Sequence, residues 1–355
     1  MTAPASPVEV VRALRARARA LGVTRLGRVT GLDRAGVEVA CAIRPLGHVL
    51  QLCNGKGATF AQAAASALSE AAELEAAEHP DPLRLRYASV AELRGRADHV
   101  PPDRCGSAGE LVAPELYSET TRLGWISGRS LRTGREALVL AQAVHCPPAD
   151  GPQLGPSLVR WTSNGLGAHV TRARALRHAL LEVLERDELE AALPRGWTAA
   201  QVRRRMVRPS GGLERLARSM RSRRLELYLF DLTPAARAVP LGGALLFDGD
   251  GGQVPLAAGY ACRPRLEDAL RDAAYEAAQS RLTDIHGARE DVEPTDPTEA
   301  AVLLRACRAA RPRRAASPAT VPIPALEAVV VDLGTWAGLQ VVKVVAPGLR
   351  CSRLL

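Results

Sequence analysis

Apolar residues recur every three to four positions in three long stretches of the chain, the spacing that lines one face of an α-helix. The stretches run over 60–78, 171–190 and 266–282, and Thr59 stands where a side-chain cap would begin the first. A shorter helix is predicted at 8–21. Runs rich in β-branched residues predict the strands, around position 29 and at 37–43, 48–53, 225–232, 240–247, 328–333 and 339–345.

Turn and loop signals separate these elements. The turn Asp33–Gly36 joins the first two predicted strands in a hairpin, 101–156 is rich in loop signals, and 311–324 is predicted to be an exposed connection. Because helices and strands alternate along the whole chain, the predicted fold class is α+β (mixed α/β), with β-sheets flanked by long helices. A length of 355 residues suits two domains or one large one.

Composition excludes several classes of protein. Hydrophobic residues make up 47% of the chain and charged residues 24%, which excludes a disordered or collagen-like protein. No apolar run approaches the roughly 18 residues that cross a bilayer, and Glu9 interrupts any signal peptide. We therefore expect a cytoplasmic protein with no membrane partner.

The seven cysteines are scattered and include no Cys-x-x-Cys pair. They predict reduced thiols rather than a disulfide framework or a zinc ribbon. His145 and Cys146 are adjacent, but neighbours in sequence do not predict the geometry of a nucleophile and its base.

The formal net charge of +9 raises the question of a nucleic-acid partner. Only two of the basic residues are lysines, and three Phe, four Trp and five Tyr offer few surfaces on which bases could stack. We therefore expect no nucleic-acid partner. The arginine clusters 203–205, 221–224 and 311–314 are predicted to be solvated faces and loops, with an acidic peptide partner as the alternative.

Each of the three long helices carries a polar stripe beside its apolar face. The stripes are Ser66, Glu70 and Glu73 in the first helix, His178, Glu182, Glu185 and Arg186 in the second, and Asp272, Glu276, Gln279 and Ser280 in the third. One such stripe is usually a solvated face, but three indicate a cation between carboxylates that otherwise repel one another. We expect them to converge on one polar cleft in which the carboxylate pKa values are raised without metal.

The ligand chemistry of these stripes favours Mg²⁺ with a nucleotide, because Mg²⁺ prefers oxygen ligands and is often bound together with phosphates. The Glu-x-x-His element of a di-iron bundle is absent. Lys56, between Gly55 and Gly57 at the start of the first long helix, is a candidate phosphate donor, with an ordinary surface turn as the alternative. Walker and protein-kinase motifs are absent.

Together these motifs resemble the YcaO family. The resemblance covers about residues 20 to 292 and extends weakly to 345–349. It is carried by Gly22–Arg25, Val29–Arg34, Arg44-Pro45, Gly55–Gly57, Ser66-x3-Glu70-x2-Glu73, Ser163–Leu166, Glu182-x2-Glu185-Arg186-Asp187, Glu276-x2-Gln279-Ser280-Arg281 and Gly287–Arg289.

The resemblance implies an enzyme that uses ATP and Mg²⁺ to phosphorylate a peptide-backbone amide, with sheets and long helices converging on a nucleotide cleft. It implies that residues 1–54 form the N-terminal helix and hairpin, 55–292 the nucleotide-binding core and 293–355 a closing segment. The implied nucleotide-binding residues are Lys56, Ser66, Glu70, Glu73, Glu182, Glu185, Arg186, Glu276 and Gln279. The implied metal ligands are Glu70, Glu73, Glu182 and Glu185. No residue is assigned a direct catalytic role.

The chain departs from the family pattern at several positions. Arg174 stands where family members usually carry Glu, and Leu74 where they carry Arg; 166–169 and 289–291 also differ. The N-terminal and C-terminal motifs resemble members that act with a TfuA-like partner, which implies thioamide formation in a precursor peptide or protein with an external sulfur donor. Azoline formation, a non-catalytic nucleotide-binding scaffold and an accessory role in ribosomal-protein modification are the alternatives. A homodimer is expected.

Overall fold

The computed structural model describes residues 7–106, 111–234, 239–287, 296–315, 320–352 and 354. Within these ranges three antiparallel sheets are packed against long helices, which confirms the predicted mixed class. No helix in the described ranges is long and apolar enough to cross a membrane.

The N-terminal part is a three-stranded meander covered by a long helix. Its elements are α1 (Pro7–Ala20), β1 (Arg25–Arg28), β2 (Glu38–Ile43), β3 (Leu52–Gly57) and α2 (Phe60–Glu78). The predicted hairpin is confirmed, although its first strand ends at Arg28. Thr59 caps α2 as predicted, since its hydroxyl accepts the Gln62 N–H at 3.3 Å.

Strand β3 corrects one prediction. The Gly55-Lys56-Gly57 segment lies within the strand rather than in a turn before the helix, and the strand begins at Leu52 rather than at residue 48. A Cβ at Gly55 would lie 2.1 Å from the Ala63 carbonyl oxygen of α2, and one at Gly57 would also contact α2. Because neither glycine has a side chain, the backbone of α2 can lie directly against β3. Lys56, between them, points to the opposite face of the sheet.

Two other long helices approach their strands in the same way. A Cβ at Gly167 of β7 (Leu166–His169) would lie 2.4 Å from the Ala175 carbonyl oxygen of α5 (Arg172–Ala192). At Gly259 of β11 (Leu256–Cys262) it would lie 2.2 Å from the Ala277 nitrogen of α8 (Leu266–His286). Each contact has glycine on the strand and alanine on the helix.

The second sheet has the strand order β11-β10-β9-β8. Its strands β8 (Met206–Val207), β9 (Leu225–Asp231) and β10 (Leu241–Asp248) precede β11, and α6 (Ala199–Arg205), α7 (Gly211–Arg221) and α9 (Pro297–Ala309) accompany them. The sequence analysis did not predict β8, β11 or these three helices. The meander β9-β10-β11 followed by α8 repeats the plan of β1-β2-β3 followed by α2.

The third sheet has six strands, in the order β4-β5-β12-β13-β7 with β6 on β5. The remaining members are β4 (Leu85–Ala88), β5 (Leu123–Ser130), β6 (Glu136–Leu140), β12 (Val329–Trp336) and β13 (Leu339–Val345), with the short helices α3 (Val90–Leu93) and α4 (Ala141–Val144) nearby. The loop prediction for 101–156 was wrong over β5, β6 and α4. Gly128 made the β5 segment resemble a loop in the sequence. In the structure, the absence of a Cβ at Gly128 leaves room for Val329 of β12.

Two of the arginine clusters lie side by side. Val207 and Arg313 form a β-bridge, and the Arg208 N–H donates to the Arg313 carbonyl oxygen at 2.8 Å. Most of these side chains are exposed, as predicted, but Arg205 is half-buried and donates to the Thr233 carbonyl oxygen. The predicted division at 54/55 falls within β3, and that at 292/293 lies outside the described residues, so the domain boundaries remain predictions.

We expect Gly55→Ala to destabilise the protein by about 3 kcal/mol, because the added methyl group overlaps the backbone of α2. Urea unfolding measures the loss. Gly31→Ala is the matched control, since a Cβ at Gly31 meets nothing within 4 Å. Equal stability of the two variants would show that α2 does not depend on this close contact.

Candidate active site: a carboxylate cluster between three helices

The polar faces of α2, α5 and α8 come together in the structure. Glu182 raises the pKa of Glu73 across the gap between α5 and α2, and Glu276 of α8 raises that of Glu185 on α5. The Lys56 ammonium of β3 binds the Glu276 carboxylate at 2.8 Å. We call Glu73, Glu182, Glu185 and Glu276 the carboxylate cluster.

Glu73 is held by a backbone donor. Its carboxylate accepts the Ala168 N–H of β7 at 2.7 Å, so the α2 side chain is fixed against the third sheet. Burial raises its pKa well above the usual value, and Glu182 and then Glu70 raise it further. The Ala168 hydrogen bond and Lys343 act in the opposite direction without overcoming burial.

Glu185 is held in a similar way at the other end of the cluster. Its buried carboxylate accepts the Cys262 N–H, at the end of β11, at 2.9 Å. Burial and then the neighbouring Glu276 raise its pKa to about 7, while Arg186 and Arg263 act to lower it. The predicted rise in carboxylate pKa is therefore found on two of the three helices.

Three cationic side chains lie beside the helices that carry the cluster. The Arg186 guanidinium lies 3.5 Å from the carboxylate of Glu182, one helical turn earlier in α5, and forms an ion pair with it. Lys56 forms an ion pair with Glu276. Arg263, directly after β11, pairs with Asp272 of α8 at 2.7 Å. These charges offset part of the repulsion among the glutamates and can donate to a phosphate group.

Lys343 is a residue of this site that the sequence analysis missed. It lies on β13, is 2% exposed, and its ammonium donates to the Thr162 carbonyl oxygen at 2.6 Å. Burial lowers its pKa to about 8, while Glu182, Cys351 and Glu73 act to raise it. The chain has two lysines, and both lie at the cluster. The scarcity that singled out Lys56 could have identified Lys343.

The other predicted site residues have different surroundings. Glu70 is half-buried one turn before Glu73, and Ser66 is exposed one turn earlier. Gln279 donates to the Asn54 carbonyl oxygen at 3.2 Å and so joins α8 to β3. Arg174 is exposed in the first turn of α5 and makes no ion pair with any described residue, so pairing with Glu182 or Glu70 is not observed.

Two alternative sites are disfavoured, the first by burial and the second by its ion pairs. His145 is buried and its pKa falls to about 4, while burial raises that of the Cys146 thiol, so this pair is poorly suited to nucleophilic catalysis. Glu75, Glu78 and His79 have ligand atoms within 4.8 Å of one another. The buried Arg44 guanidinium, however, already pairs with both glutamates.

The cluster suits Mg²⁺ with phosphate groups. Its donors are all carboxylate oxygens. Among the described residues, the sole group of three ligand atoms within 4.8 Å of one another is that of Glu75, Glu78 and His79, so the carboxylates of the cluster lie farther apart than the ligands of a closed metal site. Mg²⁺ commonly uses one or two carboxylates and fills its other positions with phosphate oxygens and water. The Asn164 side-chain oxygen and Arg186 Nε are buried without a partner in the described chain, which leaves polar atoms for a ligand.

In the metal-free protein we expect Glu185 to contribute a loss of stability as the pH rises from about 5 to about 7, because the folded state holds its proton more tightly than the unfolded state. His145, whose pKa is lowered to about 4, contributes in the opposite direction, so the Glu185 contribution is measured as a difference between two proteins. The steepest slope from one such group is about 1.4 kcal/mol per pH unit. Glu185→Gln removes the Glu185 contribution, so its stability in urea unfolding should gain on that of the wild type as the pH rises across this range. A difference between the two proteins that stays constant over the interval would contradict the raised pKa.

Comparisons with known proteins identify the family of the chain. Residues 54–325 match the family model described as YcaO cyclodehydratase, ATP- and Mg²⁺-binding. An uncharacterised protein of Methanothermobacter thermautotrophicus is 31% identical over 299 residues, covering 80% of this chain and 72% of that protein. An uncharacterised protein from the tfuA 3' region of Rhizobium leguminosarum bv. trifolii is 31% identical over 299 residues, covering 81% of this chain and 69% of that protein.

Solved structures show the same fold. YcaO from Methanopyrus kandleri, bound with AMPPCP and Mg²⁺, has a TM-score of 0.68 at 23% identity and covers 97% of this chain and 91% of that one. A heterocyclase in complex with substrate and cofactor has a TM-score of 0.69 at 20% identity, covering 96% of this chain and 52% of that one. The family model and the relatives at 31% identity establish that the chain belongs to the YcaO family.

Proposed function

We propose that the protein uses ATP and Mg²⁺ to activate a backbone amide of a peptide or protein by phosphorylating its carbonyl oxygen. The observation that carries this proposal is the carboxylate cluster, in which three helices supply glutamates beside Lys56, Arg186 and Lys343. The family description and the nucleotide-bound structure of the M. kandleri protein support it.

The residues of the cluster suit phosphoryl transfer, which depends on positioning and on charge neutralisation more than on covalent help from the protein. Mg²⁺ would be held by Glu73 and Glu182 with support from Glu70 and Glu185, and when bound it neutralises phosphate charge. Ala168 and Cys262 orient two of these carboxylates through their backbone N–H groups. Lys56 and Arg186 would donate to phosphate oxygens.

We propose further that the product is a thioamide and that a TfuA-like protein is the partner that recognises the peptide or delivers sulfur. The relative from the tfuA 3' region supports this subtype. Azoline formation is the alternative product. Mass spectrometry of a coexpressed precursor peptide separates them, because a thioamide exchanges oxygen for sulfur whereas an azoline loses water. We also propose that the protein acts in the cytoplasm as a homodimer.

We expect the purified protein to bind Mg²⁺-ATP, and Glu73→Gln and Glu185→Gln each to weaken that binding about a hundredfold or more, since each removes a carboxylate charge from the site. Glutamine is preferred to alanine because its oxygen can still accept the Ala168 or Cys262 N–H. Isothermal titration measures the affinity.

The matched control for these variants is Glu214→Gln. Glu214 is an exposed glutamate in the first turn of α7, outside the cluster. This substitution should leave the affinity unchanged. Wild-type affinity in both cluster variants would contradict the assignment of the cluster to nucleotide binding.

Substitution of Arg174 tests whether the protein is an active enzyme or a nucleotide-binding scaffold. Its exposed guanidinium, free of ion pairs with described residues, is available for a phosphate oxygen. We therefore expect Arg174→Glu to weaken Mg²⁺-ATP binding about tenfold or more in isothermal titration. If the wild type shows no peptide-dependent ATP hydrolysis with its partner and precursor, and Arg174→Glu gains it, the native protein is a scaffold.

A further inference from the structure

Arg263 lies beside the cluster but has no role in the proposed function. It directly follows β11, and two of its three guanidinium nitrogens are fixed by the protein. Nε donates to the Asp272 carboxylate at 2.7 Å, and Nη1 donates to the Cys262 carbonyl oxygen at 2.8 Å. Nη2 has no hydrogen-bond partner among the described residues, and the side chain is 26% exposed. The guanidinium is therefore held in place while one donor nitrogen stays available for a ligand.

Hydrogen bonds place Arg263 between two of the helices that carry the cluster. Cys262, whose carbonyl oxygen accepts from Arg263, donates its own N–H to Glu185 of α5 at 2.9 Å. Asp272, which accepts from Nε, belongs to α8. The close approach of β11 to α8 at Gly259 brings the strand against this helix. Arg263 is thus tied to α8 directly and to α5 through Cys262.

Lys56 lies one helical turn farther along α8. Asp272 and Glu276 are four residues apart, so their side chains lie on the same face of the helix, about 6 Å apart along its axis. Arg263 pairs with the first carboxylate and Lys56 with the second. The two cations are therefore neighbours on one face of α8, and both side chains are partly exposed.

The Asp272 carboxylate is shared with a second arginine. Arg271, which is 46% exposed, donates to the other oxygen of that carboxylate at 2.9 Å. Three cationic side chains therefore face two carboxylates on this part of α8, which leaves a net charge of +1. That balance favours an anionic ligand, and guanidinium and ammonium groups make charge-assisted hydrogen bonds to phosphate.

We propose that Arg263 is a further phosphate donor beside Lys56, and that Asp272 is the positioning residue that orients it. A polyphosphate lying along this face of α8 can accept from both cations, because it carries oxygens along its whole length. The inference deepens the proposed function and rests on it for the nucleotide. The contact with phosphate is testable without it.

Isothermal titration with Mg²⁺-ATP and with Mg²⁺-tripolyphosphate tests the donor. We expect Arg263→Met to weaken the binding of both about tenfold or more, because the contact is with phosphate alone. Arg263→Lys keeps the charge and should lose less affinity than Arg263→Met. Unchanged affinity in Arg263→Met, a loss confined to Mg²⁺-ATP, or a wild type that does not bind tripolyphosphate would each overturn the proposal.

Arg271→Met is the matched control. It removes the more exposed guanidinium from the same Asp272 carboxylate, and both affinities should stay at the wild-type value. A loss equal to that of Arg263→Met would show that any positive charge near Asp272 has this effect, and the assignment of Arg263 would be wrong.

A double-substitution cycle tests the positioning role of Asp272. We expect Asp272→Asn to weaken Mg²⁺-ATP binding about threefold or more, because the Arg263 guanidinium loses the ion pair that orients it. In the Arg263→Met background the same substitution should have no further effect. Affinity that stays the same or rises in Asp272→Asn, or an equal loss in both backgrounds, would overturn the positioning role.

Two further readouts complete the test. If Arg263→Met does not fold, Arg263→Lys and Asp272→Asn decide, and wild-type affinity in both overturns the proposal. If the wild type binds tripolyphosphate through Arg263 but shows no peptide-dependent ATP hydrolysis with its partner and precursor, the proposed function fails and the phosphate contact stands. If Mg²⁺-ATP is bound and hydrolysed while Arg263→Met keeps wild-type affinity, the phosphate contact fails alone.

Discussion

The close approach of three helices to their strands is the constraint on which the carboxylate cluster depends. At Gly55, Gly167 and Gly259 a methyl group would lie within 2.4 Å of a helix backbone atom, and the helices present alanine at these contacts. A layer of larger side chains would hold each helix farther from its sheet. Glutamates on α2, α5 and α8 would then no longer meet, so the smallest residues of the chain determine where its charges lie.

The electrostatics of the cluster follow from this packing. Helices that approach closely leave little space for water, and burial is the largest cause of the raised pKa of both Glu73 and Glu185. Backbone N–H groups from two different sheets orient these carboxylates, while the cations come from strands and from α5. The glutamates therefore repel one another while backbone hydrogen bonds hold two of them, and this combination favours binding of a divalent cation.

The three long helices and their polar faces could be predicted because helical periodicity is a local property of the sequence. Strand boundaries depended on distant partners and were predicted less well. Gly55 and Gly57 resemble turn residues until α2 is placed over them, and Gly128 obscured β5 because its partner Val329 lies two hundred residues away. Lys343 was missed for the same reason, since its place beside β7, the strand whose Ala168 N–H binds Glu73, arises from the pairing of two strands far apart in the chain.

Strand β3 has two faces that cannot be exchanged. Gly55 and Gly57 face α2, whereas Asn54 and Lys56 contact α8. A slip of one residue would turn the lysine toward a helix backbone with no room for its Cβ and would remove the ion pair with Glu276. The strand thus admits a single alignment, and a chain that pairs it wrongly during folding cannot close either helix over it. The six residues of β3, Leu52–Gly57, therefore both bring Lys56 to the cluster and allow the helices to pack only when the meander is correctly paired.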